Sequence, residues 1–195
     1  TYQDNVHLPA SVKQEIESRS QTDWFKAMGL GEWGAEGDVV LYNYEIVNEP
    51  KIKHFLGIGL DIGYTISPSA AVLLGKTTDD KIYAKELFKG CYTINEILDK
   101  LSEYRKKYHV IVDAAEKDII ETLRRLGYSA WESKKPSLKA SYEKINMRKL
   151  AIDASSIELI REIRNLTWKD KIKGVTAGED HLIDAMRYAY HSFVE

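Results

Sequence analysis

The sequence predicts one compact α/β domain in which a mixed β-sheet, made of an antiparallel meander and parallel strands, is flanked by helices. Two patterns predict this fold class. Apolar or alternating segments follow one another without an intervening helix at residues 55–61, 70–74 and 82–88, which is typical of a meander. After residue 92, helical and strand-like patterns alternate, which is typical of parallel strands joined by helices. A chain of 195 residues with 44% hydrophobic residues can bury one sizeable core.

The N-terminal quarter differs from the rest of the chain. Residues 1–50 are rich in aromatic residues and glycine and lack clear periodicity after a possible helix over residues 9–19. We expect residues 1–50 to form an arm or connector and residues 51–195 to form the domain. The chain starts with Thr1, without an initiator Met or a signal peptide, so we expect a fragment of a longer protein.

Composition narrows the class of protein further. No apolar stretch approaches the roughly 20 residues that cross a bilayer, so we expect a soluble domain with no membrane partner. The single cysteine, Cys91, excludes an internal disulfide framework and a thiolate zinc site, and it fits a reducing compartment.

The first helical pattern follows the third strand of the meander. Residues 93–96 (TINE) have the spacing of a capping box and predict a helix that continues to the lysines at 106 and 107. Residues 110–113 then read as a short buried strand, and residues 117–126 as a helix closed by Gly127.

The last elements complete the predicted topology. Residues 128–131 predict another strand, and residues 176–179 (TAGE) have the spacing of a second capping box that opens the final helix. That helix carries an apolar stripe of Leu182, Met186, Ala189 and Phe193. A meander followed by alternating helices and strands and a closing helix is the arrangement of the ribonuclease H-like fold.

Three aspartates stand at the ends of buried elements. Asp61 ends the first apolar run, Asp113 ends another, and Asp184 lies in the first turn of the last helix. Buried carboxylates are costly unless they are compensated. Hard oxygen ligands from separate segments can converge on Mg²⁺ or Mn²⁺, so the pattern favours a divalent metal site and phosphodiester chemistry.

The residues beside these aspartates could belong to the site or could have a purely structural role. On the last helix, Asp180 and His181 share a face with Asp184, so they can also point to the metals. His181 could bind a metal, orient a carboxylate or relay a proton, or it could be purely structural. Asp180 could instead be a helix-start residue favoured by the helix dipole. Glu116 could simply lie in the first turn of its helix.

The basic side chains are segregated, although the net charge is only −2. They concentrate between residues 134 and 149 and between residues 169 and 173, where three lysines alternate and would share one face of a strand. Such runs are often solvated surface, but beside a carboxylate cluster they predict a track for nucleic-acid phosphates, with salt-sensitive, largely sequence-independent binding. The predicted DNA-binding residues are Lys134, Lys135, Lys139, Lys169, Lys171 and Lys173.

Seven segments resemble the C-terminal nuclease domain of the large terminase subunit of tailed bacteriophages and prophages. Residues 1–5 (TYQDN) with 29–34 (GLGEWG) resemble the segment that leaves the ATPase domain of that family. Three further regions resemble the three acidic motifs of the family, in the same order. The first is GLDIG at 59–63 with SPSA at 67–70, the second is DAAE at 113–116 with LRRLG at 123–127, and the third is DHLIDAMRY at 180–188. The resemblance departs at Lys117, where the family usually has proline, and in a shorter basic stretch before Ala151.

The resemblance implies an endonuclease that cuts concatemeric double-stranded viral DNA during genome packaging in the cytoplasm of an infected or lysogenic bacterial host. No phosphate loop of the type Gly-x-x-x-x-Gly-Lys-Ser/Thr occurs in the sequence. ATP hydrolysis would therefore belong to an N-terminal packaging ATPase domain outside this chain. The other partners that the resemblance implies are the small terminase subunit and the portal protein.

The acids would support two-metal hydrolysis, in which two cations, Mn²⁺ or Mg²⁺, lie roughly 4 Å apart. Asp61, on the central strand, would bridge both ions, while Asp113 would bind one and Asp184 the other. Without metal these three carboxylates would repel one another, so we expect divalent ions to stabilise the fold. The predicted catalytic residues are Asp61, Asp113, Asp184 and His181, and the predicted metal ligands are Asp61, Asp113, Asp184 and Asp180.

Three other functions remain open from the sequence. Residues 60–65 (LDIGYT) also resemble the first phosphate motif of the actin, sugar-kinase and chaperone ATPases, although a second element of the type Asp-x-Gly-Gly-Gly-Thr is absent. Another nuclease of the same fold, such as a Holliday-junction resolvase, is a nearer alternative. The chain could also be a non-catalytic DNA-binding packaging module whose acids are structural.

Overall fold

The computed structural model of the protein describes residue 9 and residues 12–13, 39–63, 66–134, 136–170 and 174–194. Within these ranges the strands, in chain order, are β1 (Tyr44–Val47), β2 (Ile52–Asp61), β3 (Ser69–Thr77), β4 (Ile82–Gly90), β5 (His109–Val112), β6 (Ser129–Glu132), β7 (Leu150–Asp153), β8 (Thr167–Asp170) and β9 (Val175–Ala177). The helices are α1 (Ile94–Leu101), α2 (Lys117–Arg125), α3 (Leu138–Asn146), α4 (Ile157–Asn165) and α5 (His181–Phe193). None of the described helices is both long enough and apolar enough to pass through a bilayer.

A seven-stranded mixed sheet organises the chain, in the order β1-β7-β4-β3-β2-β5-β6. Strands β2, β3 and β4 form the antiparallel meander. Strands β5 and β6 extend the sheet in parallel on one side, and β7 and β1 do so on the other. Strands β8 and β9 form a separate two-stranded hairpin. The mixed sheet with flanking helices confirms the predicted fold class.

Both faces of the sheet are covered because side chains alternate along each central strand. On β3, Val72 and Leu74 face a core that also contains buried residues of α3, α4 and α5. Their neighbours Ala71 and Leu73 face the opposite core, where buried residues of α1 and α2 pack. The sheet is therefore the middle layer between two groups of helices.

Helix α5 packs directly on strand β2 at Gly59. A β-carbon added to Gly59 would lie 1.7 Å from the carbonyl oxygen of Ala185, so only glycine permits this close approach. The contact sets where the first turns of α5 lie along β2, close to the strand end that carries Asp61.

Several local predictions are confirmed. The capping box at Thr93 is present, because its hydroxyl accepts from the amide of Glu96 while the Glu96 carboxylate accepts from the amide of Thr93. Gly127 ends α2 with a φ of 83°, a conformation that glycine adopts without strain. Helix α1 ends at Leu101, earlier than expected, and a 3₁₀ turn over Ser102–Tyr104 continues it.

The second predicted capping box is wrong. Thr176 lies inside β9, and Asp180 is the N-cap residue of α5, without a side-chain hydrogen bond to the helix. The backbone N–H groups of Leu182 and Ile183 donate instead to Oε2 of Glu162, at 2.8 and 3.0 Å. The cap therefore comes from helix α4, a long-range contact that no local spacing reveals.

The structure also adds elements that the sequence analysis did not assign. Residues 134–149, interpreted only as a basic segment, contain helix α3, whose first turn is capped by the Ser137 hydroxyl. Strand β1 lies within residues 1–50 and pairs in parallel with β7, so four residues of the expected connector belong to the sheet. The possible helix over residues 9–19 and the family-like segments before residue 39 fall almost entirely outside the described residues.

Candidate metal centre

Two neighbouring parallel strands bring Asp61 and Asp113 together. Asp61 is the last residue of β2, and Asp113 directly follows β5. Strands β2 and β5 pair in parallel with Leu60 opposite Val112. The residues that follow this pair are therefore placed side by side at the carboxyl end of the sheet.

Helix α5 supplies the third carboxylate. Asp184 lies in its first turn, and His181 is its first residue. Nδ1 of His181 lies 3.2 Å from Oδ2 of Asp61, which ties the start of α5 to the end of β2. The positions predicted for Asp61, Asp113 and Asp184 within the fold, namely a central strand, the adjoining strand end and a helix on the sheet, are those that the structure shows.

The three carboxylates converge on the hydroxyl group of Tyr188, one turn beyond Asp184 on α5. The hydroxyl oxygen lies 3.0 Å from Oδ2 of Asp113, 3.3 Å from Oδ2 of Asp184 and 3.5 Å from Oδ1 of Asp61. We call these three carboxylate oxygens the inner oxygens. They come from three separate elements and surround one point.

The second oxygen of each carboxylate has a different partner. The second oxygen of Asp61 faces His181, and the second oxygen of Asp113 accepts a hydrogen bond from the backbone N–H of Ala115 at 2.8 Å. The second oxygen of Asp184 accepts a hydrogen bond from Nε of Arg187 at 3.1 Å. Nη2 of Arg187 lies 3.0 Å from the same oxygen and completes a salt bridge. These contacts restrain how each carboxylate can rotate.

Burial and mutual repulsion govern the electrostatics of the cluster. Burial raises the pKa of Asp61 to about 6, the charges of Asp184 and Asp113 add to that rise, and the contact with His181 opposes it. Burial, followed by the charges of Asp184, Asp61 and Asp113, raises the pKa of Tyr188 well above its ordinary value. The Tyr188 hydroxyl is therefore a neutral hydrogen-bond donor among the three carboxylates.

The donor set fits a hard divalent cation. Among the described residues, no three Asp, Glu, His or Cys side chains stand close enough to share one ion as they are. The inner oxygens lie 3.0 to 3.5 Å from the Tyr188 hydroxyl, whereas Mg²⁺ binds oxygen at about 2.0–2.1 Å, so small side-chain rotations would have to close the site around an ion. A hydroxyl can donate only one hydrogen bond, so it cannot satisfy three carboxylate oxygens at once. A cation that binds several oxygen ligands would suit them better.

Asp180 and Glu116 lie at helix starts beside the cluster. Asp180 is the N-cap residue of α5, and burial together with the charge of Asp184 raises its pKa. Glu116 is the N-cap residue of α2, without a side-chain cap bond to the helix. Asp180 as a metal ligand therefore stays a prediction, one helical turn from Asp184.

Three of the six predicted DNA-binding lysines lie in the described ranges. Lys134 follows β6, Lys139 lies on α3 and Lys169 lies on β8, and all three side chains are exposed. Lys139 lies against Gly174, just before β9, so the start of α3 adjoins the β8–β9 hairpin. Lys135, Lys171 and Lys173 are outside the described residues.

Three residues that support the cluster were not predicted from the sequence, namely Tyr188, Arg187 and Glu162. Tyr188 and Arg187 follow Asp184 by four and three residues, so helical spacing alone could have placed both on its face. Glu162 gave no such signal, because its contact with α5 crosses between two helices.

Comparison with solved structures identifies the fold of this domain. No protein-family model matches the sequence, and no curated protein matches it. The chain has the ribonuclease H-like fold of large terminase nuclease domains, as the sequence resemblance implied.

Three of the matches are to bacteriophage proteins. The nuclease domain of the SPP1 large terminase g2p, solved with bound Mn, superimposes with a TM-score of 0.65 at 23% identity over 78% of this chain and 97% of that one. The nuclease of the thermophilic phage G20c gives a TM-score of 0.57 at 18% identity, over 80% and 94% of the two chains. The large terminase of another thermophilic bacteriophage matches all of this chain with a TM-score of 0.62 at 20% identity, and the match spans 55% of that terminase chain.

Proposed function

We propose that this chain is the metal-dependent endonuclease domain of a viral genome-packaging terminase that cuts concatemeric double-stranded DNA. The observation that carries the proposal is the convergence of the inner oxygens of Asp61, Asp113 and Asp184 from three elements on one point. The fold of phage terminase nucleases, one of them solved with bound Mn, supports it.

In the proposed centre, each residue has a role that follows from its position. Asp61, at the end of the central strand β2, would be shared by two ions, while Asp113 and Asp184 would each hold one. When bound, two divalent cations would activate water and stabilise the leaving 3′ oxygen of a phosphodiester. His181 would keep the Asp61 carboxylate oriented through its Nδ1 contact and could accept or release a proton at the edge of the site.

The proposed substrate is bound by charge rather than by base recognition. Lys134, Lys139 and Lys169, together with Lys135, Lys171 and Lys173, would contact phosphates along the duplex. In a full-length protein, residues 1–50 would connect the nuclease domain to a packaging ATPase domain, and the small terminase subunit and the portal protein would be its partners in the bacterial cytoplasm.

Cleavage of supercoiled plasmid tests the proposal. The wild-type chain, Asp61→Asn and the control Asp118→Asn are each incubated with plasmid and Mn²⁺, Mg²⁺ or EDTA. Asp118 is an exposed acid in the first turn of α2, outside the cluster. We expect metal-dependent nicking and linearisation by wild type and by Asp118→Asn, and a loss of at least about 100-fold in Asp61→Asn. A folded wild-type chain that cuts with neither metal would contradict the enzyme and favour a non-catalytic packaging module.

A further inference from the structure

Tyr188 occupies a position that the proposed chemistry does not explain. Its side chain is only 3% exposed, whereas Asp61, Asp113 and Asp184 are all partly exposed. The hydroxyl group therefore reaches the three carboxylates from the interior of the protein. The opposite side of the cluster, towards solvent, is left for ions and substrate.

The contacts of the hydroxyl differ from those of an ordinary buried tyrosine. A phenol donates one hydrogen bond, yet three carboxylate oxygens lie within 3.5 Å of this one. It cannot neutralise three charges. It can, however, hold the oxygens that surround it at a common centre, since each carboxylate is restrained on its other side by His181, the Ala115 amide or Arg187.

We propose that Tyr188 is a positioning residue of the metal centre, whose hydroxyl gathers the inner oxygens of Asp61, Asp113 and Asp184 so that they face an incoming divalent cation. This inference rests on the proposed function. An alternative is that the hydroxyl competes with the ion for the same oxygens, and the two roles predict opposite effects on metal affinity. The interior position of the ring favours the positioning role, because an ion arriving from solvent need not displace it.

Tyr188→Phe removes one oxygen atom and leaves the ring. Partners that orient metal ligands typically change metal affinity by about 10- to 100-fold when they are removed. We expect Mn²⁺ to bind Tyr188→Phe about 10-fold more weakly, and the metal concentration for half-maximal cleavage to rise by a similar factor. The cleavage rate at saturating Mn²⁺ should stay within about threefold of wild type, because the hydroxyl acts through the ligands and not on the phosphodiester.

The matched control is Tyr190→Phe on the same helix. Tyr190 is also 3% exposed, and its hydroxyl donates to the backbone carbonyl of Lys144, away from the acids. Isothermal titration of Mn²⁺ into the metal-free wild type and both variants, with circular dichroism to establish folding, gives the comparison. Weaker binding by Tyr188→Phe alone supports the inference.

Equal or tighter binding by Tyr188→Phe overturns the inference while leaving the metal centre intact. A wild-type chain that binds no Mn²⁺ overturns the proposed metal centre and this inference together. If Tyr188→Phe does not fold, the tyrosine difference spectrum of the wild type, recorded while Mg²⁺ is added, replaces the variant. A change that saturates with metal binding supports the contact, and an unchanged spectrum at saturation contradicts it.

Discussion

The pKa of Asp61 depends on three opposing effects, namely burial, neighbouring negative charges and a contact with His181. Asp61 ends a central strand, so the sheet buries it, and the same position brings it beside Asp113 and Asp184. Its pKa rises to about 6, because burial and two neighbouring negative charges outweigh the contact with His181. The metal-free fold therefore carries a destabilised carboxylate at its proposed site.

That carboxylate predicts a pH dependence of the stability of the metal-free chain. Its pKa is about 6 in the folded chain, against an ordinary value of 3.8 that applies when the chain is unfolded. The folded state thus binds this proton more tightly, so the destabilisation by Asp61 grows as pH rises from 3.8 to about 6 and is constant above that. Asp61→Asn carries no such charge, so its advantage in free energy of unfolding over wild type should grow by about 1 kcal/mol between about pH 5 and about pH 7.5.

Urea denaturation of both proteins in EDTA across this pH range measures the difference. Because the two proteins share all other ionisable groups, the difference between them reports the effect of the Asp61 carboxyl. A difference between Asp61→Asn and wild type that stays flat with pH would contradict the raised pKa.

The acids could be predicted from sequence. Helical spacing could have placed Tyr188 on the face of Asp184, but it could not have shown that the Tyr188 hydroxyl contacts all three acids. Asp61 and Asp113 stand out because each ends an apolar run, and parallel strand ends meet at one edge of a sheet. Tyr188 looked like one of twelve tyrosines. Its role depends on how closely α5 approaches β2 at Gly59, which is a property of the packed fold.

Helix α5 is held at its N-terminus by helix α4. Glu162 of α4, 3% exposed, accepts from two backbone N–H groups in the first turn of α5. Its other oxygen lies 2.9 Å from Nζ of Lys89 on β4, and Lys89 also pairs with Glu179, just before α5. This arrangement connects the helix that carries His181 and Asp184 to a strand on the far side of β3.

Removal of the Glu162 carboxylate should therefore destabilise the chain. Glu162→Leu leaves two helix N–H groups and Lys89 without this acceptor in a buried setting, and we expect it to lower the free energy of unfolding by about 3 kcal/mol. Glu162→Gln retains an acceptor oxygen and should cost less. Chemical denaturation measures both.

The control for this prediction is Glu158→Leu on the same helix. Glu158 pairs with Arg161 near the surface, and such pairs contribute about 0–1 kcal/mol. If Glu162→Leu were no more destabilising than Glu158→Leu, the proposed support of α5 by Glu162 would be wrong.

Elements with a strong local pattern were predicted well, and those without one were not. The meander, α1, α2 and the apolar stripe of α5 each have a clear period or a capping signal in sequence. Helix α3 was hidden by its lysines, since a basic segment was interpreted only by its charge. The cap of α5 was assigned wrongly because a local spacing competed with a long-range contact.

At the scale of the whole molecule, the proposed metal centre lies at one end of a sheet that is covered by helices on both faces. Order along the chain was enough to predict the ribonuclease H-like arrangement, because meander and crossover connections leave few topologies. The edge position of β1 was not predictable, because its four residues lie in an irregular segment and pair with β7, a strand far along the chain, with Tyr44 opposite Leu150. The boundary at residue 50, the lysine track and the packaging partners remain predictions.

Anomalous diffraction from crystals soaked in Mn²⁺ tests the central claim most directly. We expect an anomalous peak bounded by the carboxylates of Asp61, Asp113 and Asp184, on the side of these carboxylates that faces solvent, and its loss in Asp61→Asn crystals soaked in the same way. Well-ordered carboxylates with no manganese between them, or manganese bound only elsewhere on the surface, would contradict the metal centre.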